Sequence, residues 1–154
     1  MDAAEQEQIA LDKEVRYHVY DYVIREGLPP TVAETSSALG RSSDEVRSSF
    51  QRLADGHILV LQKGNGEILM ANPFSSVPTP FLVKAGSRSY YGNCIWDAMG
   101  IAAMLKQDVI VEASCGCCGT AMNLKITNGS LYGAVGLAHF AIPAAHWWDD
   151  IVFN

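Results

Sequence analysis

The chain of 154 residues has no run of about 18 uncharged apolar residues, the length a helix needs to cross a bilayer. Its first residues, MDAAEQEQIALDKE, are acidic where a secretory leader would be basic and then apolar. The expectation is a cytoplasmic protein with no membrane partner. Basic residues are also scarce, 11 Lys and Arg against 17 Asp and Glu for a net charge of −6. That balance argues against DNA or RNA, whose affinity rests on cations neutralising phosphates. Cysteine is limited to Cys94, Cys115, Cys117 and Cys118. In a reducing compartment these are not a disulfide framework but buried, metal-binding or reactive thiols. There is no internal repeat and no low-complexity tract. About half of the chain, 49%, is apolar, enough to bury a core in one domain or two small ones.

In residues 12 to 26, Val15, His18, Val19, Tyr22 and Val23 recur at helical spacing before Gly27-Leu-Pro-Pro stops the helix. Thr31 with Glu34, and Ser42 with Glu45, are capping-box pairs that start two further helices, ending near Gly40 and Ala54. HILVLQKGNGEILMA then reads as a hairpin about Gly64-Asn65-Gly66. Helix, helix, helix, hairpin is the winged-helix order. Residues 1 to 75 nevertheless hold 7 Lys and Arg against 12 Asp and Glu, and the candidate recognition helix SDEVRSSFQRLAD offsets Arg47 and Arg52 with Asp44, Glu45 and Asp55. A structural module fits better than a DNA reader. NPFSSVPTPF, residues 72 to 81, is a proline-rich connection. The boundary is expected there, with a winged-helix-like domain over 1–75 and a second domain over 76–154. Beyond it, strands are expected at PFLVKAG, RSYYG, VIVEASC, MNLKITNG and HFAIPA, with an apolar helix from Ile95 to Leu105. The fold class is α+β: the three-helix unit with its hairpin, followed by a small mixed sheet with a packed helix.

Cys94 stands just before that apolar helix, and Asp97 lies in its first turn. Unpaired backbone N–H groups and the positive end of the helix dipole are expected to lower the thiol pKa. A carboxylate three residues on shares the helical face and is placed to accept the thiol proton and pass it on. The plain alternative for Asp97 is a residue that caps backbone donors. In Cys115-Gly-Cys-Cys-Gly119, glycines allow three thiols to converge on one turn, a candidate site for Zn(II), Cu(I) or Hg(II). No second Cys-x-x-Cys or paired histidine completes a closed zinc site; His139 and His146 are single. The alternative here is a glycine-rich turn with small buried cysteines. Tyr90, Tyr91, Trp147 and Trp148 read as packing residues, Asp149 and Asp150 as solvated carboxylates.

Tyr91-Gly-Asn-Cys94-Ile-Trp-Asp97-Ala, the helix to Leu105, the strand ending at Cys115 with Gly119, and MNLKI together resemble the core of the organomercurial (alkylmercury) lyase family. The resemblance spans roughly residues 80 to 154. It implies protonolysis of a carbon–mercury bond without an added cofactor, mercury being substrate and product ion. Cys94 would then grip mercury and Asp97 would relay the proton. The family's second catalytic cysteine lies on a later strand, and matching HFAIPAAHWWDDIVFN places it at or just past residue 154. The chain is therefore expected to end before it. Cys115 matches a family cysteine of structural role, leaving Cys117 or Cys118 as a stand-in second mercury ligand. The partner implied is a small organomercurial or a soft metal ion. The alternatives are a non-catalytic Hg, Zn or Cu binder and a diverged lyase-like enzyme acting on another substrate.

Overall fold

A computed structural model describes residues 2–133 and 135–152. Helix α1, Ala3–Glu26, starts where the Asp2 carboxylate accepts the Glu5 N–H at 2.8 Å. Its buried residues, Leu11, Val15, Val19 and Val23, repeat every fourth position and form one stripe. Each such side chain, fully buried, contributes roughly 1.5–3 kcal/mol. The helix begins well before residue 12, where the apolar spacing had placed it, because its first turns are exposed and carry no stripe to read. It ends at Gly27, whose φ of 89° no side chain adopts easily.

Helices α2, Val32–Leu39, and α3, Ser43–Asp55, each begin with the expected capping box, Thr31 with Glu34 and Ser42 with Glu45. Asp12 of α1 ties α3 down, accepting from Ser49 Oγ at 2.6 Å and from both Nε and Nη2 of Arg52 at 2.8 Å. Arg47 donates to the Asn65 carbonyl at 2.7 Å. Both arginines of the candidate recognition helix are thus engaged within the fold.

Strands β1, Leu59–Leu61, and β2, Ile68–Ala71, pair antiparallel across the Gly64-Asn65-Gly66 turn, with a register break between Val60 and Leu61. The proline-rich connection is not wholly extended linker: Phe74–Ser75 forms β3 against β2. A second sheet holds β4, Leu82–Ala85; β5, Arg88–Tyr91; β6, Val109–Glu112; β7, Leu124–Thr127; and β8, Ser130–Tyr132, in the order β5-β4-β6-β7-β8. Each pairing is antiparallel, so the sheet expected as mixed is antiparallel throughout. Val83 faces Val111, and Val111 faces Leu124, aligning one apolar face.

Helix α4, Ile95–Leu105, buries Ala98, Ile101 and Ala102. These join one hydrophobic cluster that runs from Val19 and Phe50 through Phe74 and Tyr90 to Val83 and Ile126. Tyr90 Oη and Arg88 Nη1 both donate to the Ile24 carbonyl at 2.8 Å, fastening α1 to β5. HFAIPA is not a strand. Apolar content suggested one, but among the described residues the segment joins no sheet, and it leads instead into a 3-10 helix, Ala144–Asp149. Among the described residues, no helix is long and apolar enough to cross a membrane.

Candidate active site

After β5 the chain must turn sharply into α4. Gly92 allows it: a Cβ there would meet the Ala98 backbone nitrogen at 2.7 Å. The Gly92 N–H bonds the Phe81 carbonyl at 3.0 Å, holding the turn against the start of β4. Cys94 then occupies the position before the first turn of α4, in extended backbone with φ −145° and ψ −177°, and its carbonyl accepts the Ala98 N–H at 3.0 Å. The local geometry brings the two residues singled out in the sequence together, with Cys94 Sγ donating to Asp97 Oδ2 at 3.4 Å.

The electrostatics differ from the expectation of a lowered thiol pKa. Burial pushes the Cys94 thiol up, and the neighbouring Asp97 charge opposes the thiolate further. Backbone N–H groups of Asp97 and Trp96 pull the other way without prevailing. The helix start therefore acts as anticipated, but desolvation outweighs it. Burial also raises Asp97, against hydrogen bonds from Cys94 and the Asn93 side chain that favour its ionised form. The pair is poised as a neutral thiol donating to a carboxylate with raised proton affinity.

Cys94 and Asp97 open into a cavity of about 390 Å³. His57, Met70, Asn72, Asn93, Phe140, Trp148 and Ile151 also line it. The His57 and Trp148 rings stack at 4.0 Å and 7°. Trp147 packs on Phe140 at 5.1 Å and donates its indole N–H to the Ile142 carbonyl at 2.8 Å. Asn93 Oδ1 is buried without a hydrogen-bond partner among the described residues. None of His57, Asn93 or Phe140 was singled out in the sequence. Their proximity is long-range, so no spacing in the sequence marks them. A slightly larger hollow of about 490 Å³, between the end of α4 and β7–β8, contains no cysteine.

The other three cysteines do not line the Cys94 cavity. They sit on the β6–β7 connection, Cys115 half-buried and Cys117 and Cys118 exposed. The Cys118 thiol is lowered by hydrogen bonds from the Thr120 hydroxyl and backbone and from Cys115. Among the described residues, no three or more His, Cys, Asp or Glu side chains are arranged to hold a metal ion. The expected four-cysteine set is therefore split, and a Zn or Cu site at the turn finds no support. His146 pairs with Asp149 at 3.0 Å.

The alkylmercury lyase (MerB) family model matches residues 74–153, half of the chain and all of the elements that carry Cys94 and Asp97. The chain belongs to the alkylmercury lyase family. Among solved structures, the mercury-bound form of MerB2 shares the fold with a TM-score of 0.61 and 23% identity, over 77% of this chain and 58% of that one. The chain thus spans little more than half the length of that relative. No curated protein sequence matches it significantly. The shared fold is α+β, and in this chain helices precede antiparallel sheets and a packed helix.

Proposed function

We propose that this member of the alkylmercury lyase family cleaves carbon–mercury bonds by protonolysis, with Cys94 as nucleophile and Asp97 as proton relay. The observation that carries the reading is the 3.4 Å contact from Cys94 Sγ to Asp97 Oδ2 inside an aromatic-walled cavity. The Cys94 sulfur bonds to mercury of R–Hg–X, X⁻ departs, and the thiol proton moves to Asp97. Asp97 then hands that proton to the carbon as the carbon–mercury bond breaks. Carbon keeps the bonding electron pair and leaves as R–H; mercury stays on Cys94 until two low-molecular-weight thiols take it as their dithiolate, one of their protons returning to Cys94 and the other passing to solvent. Soft thiolate donation weakens the bond opposite, and the raised proton affinity of Asp97 suits a group that must first accept and then deliver.

Around this chemistry we place a winged-helix-like scaffold over 1–75 and a lyase-like unit over 76–154, in a cytoplasmic, thiol-reducing setting and a role in mercury detoxification. The scaffold's acidic balance and its engaged Arg47 and Arg52 favour support over DNA contact. The test is release of benzene from phenylmercury in excess thiol. Release is expected from the wild-type chain, none above buffer from Cys94→Ala, and a loss of about 10²–10⁴-fold from Asp97→Asn. Mercury retained with no hydrocarbon released would overturn turnover and leave a soft-metal-binding protein.

A further inference from the structure

The β6–β7 connection carries thiols that the proposed reaction does not use. Its backbone closes on itself: Cys115 N–H bonds the Thr120 carbonyl and Gly119 N–H the Cys115 carbonyl, each at 2.8 Å, with Ser114 bridged to Ala121. Gly119, at φ 70°, supplies the left-handed residue that brings the chain back. The first and fourth positions of Cys115-Gly-Cys-Cys118 consequently fall on one closed turn, with Cys115 half-buried and Cys118 exposed. Cys118 Sγ also lies 3.2 Å from Thr120 Oγ1. Cys117, between them, does not complete a three-ligand group.

We propose that Cys115 and Cys118 form a second thiol site, separate from the Cys94 cavity, that takes inorganic Hg(II) in two-coordinate ligation. Two soft sulfurs satisfy this ion, whereas a structural zinc site requires four ligands. The closed backbone turn keeps the two cysteines three positions apart on a short tether, so the second Hg–S bond forms within the chain, at high effective concentration. Loading is a thiol exchange: two S–Hg bonds to small thiols break, two to Cys115 and Cys118 form, and the two cysteine protons leave on the released thiols. No change in oxidation state is involved. The site does not depend on the lyase reading, because it shares no residue with it.

The test uses the full chain carrying Cys94→Ala, which removes the cavity thiol. Mercuric chloride is added at one equivalent in excess glutathione, free thiols are alkylated with iodoacetamide, and modified positions are mapped. Protection of Cys115 and Cys118 with Cys117 modified is expected. Competition against glutathione should show a loss of more than about 100-fold in Hg(II) affinity for Cys115→Ser or Cys118→Ser, beyond the 10–100-fold typical of groups outside the ligand sphere. Cys117→Ser should leave the affinity unchanged. Protection of Cys117 in place of either partner, equal affinity in the serine variants, or equal protection by Zn(II) would overturn the proposal. The mapping needs no substitution in the turn, so it stands even where a serine variant folds poorly.

Discussion

At Asp97, burial and hydrogen bonding act in opposite directions, and burial prevails. A carboxyl group whose folded pKa is raised favours the native state most below its unfolded pKa. That contribution is lost as pH rises through the folded value. At neutral pH the ionised side chain therefore carries a desolvation cost that an amide would not. Asp97→Asn is expected to raise stability near pH 7 by up to about 1 kcal/mol, roughly 2–4 °C in Tm for a chain of this size. The two melting curves should converge below the ordinary carboxylate range; thermal melts at a series of pH values check this. The substitution thus separates stability from activity, which it should lower by about 10²–10⁴-fold. The pairing itself was legible in the sequence, because a three-residue spacing at a helix start is a local constraint. The direction of the thiol shift was not, since burial is set by the tertiary fold and not by neighbours in sequence.

Among the elements, α4 is fixed by the turn that precedes it. Gly92→Ala would place a methyl group 2.7 Å from backbone that cannot rotate aside. A loss of about 1–3 kcal/mol is expected by chemical denaturation, as for other overpacked sites, with the Cys94 turn displaced. The C-terminal 3-10 helix is held differently, by the stack of Trp148 on His57. Such a pair is worth about 0.5–1.5 kcal/mol, so Trp148→Ala should raise KM for phenylmercury about 2- to 10-fold and leave the chemical step nearly unchanged. Steady-state kinetics separates the two effects. The two capping boxes and α4 were readable because each depends on neighbours in sequence. The early start of α1 was not, because polar exposed turns give no periodic signal. HFAIPA had the composition of a strand but, among the described residues, no partner to pair with, and partners are settled only by the fold.

Across the whole molecule, a single buried cluster joins the N-terminal helices to the second sheet, and the Ile24 carbonyl receives donors from both Arg88 and Tyr90. Unfolding is therefore expected to be one cooperative event. The tryptophans, Trp96, Trp147 and Trp148, all lie beyond residue 90, whereas much of the helical signal comes from α1 to α3. Fluorescence and far-ultraviolet circular dichroism should give coincident urea transitions; separated midpoints would show two units melting independently.

The cavity walls come from three distant stretches: His57 and Met70, the start of α4, and Phe140 to Val152. An occupant held on Cys94 thereby adds a stitch to segments that the Asn93 side chain, through Asn72 and Pro73, and the His57–Trp148 stack already join. On the proposed reaction, product is expected to leave past the His57–Trp148 stack, so loosening of that turn should contribute to the pace of turnover alongside bond cleavage.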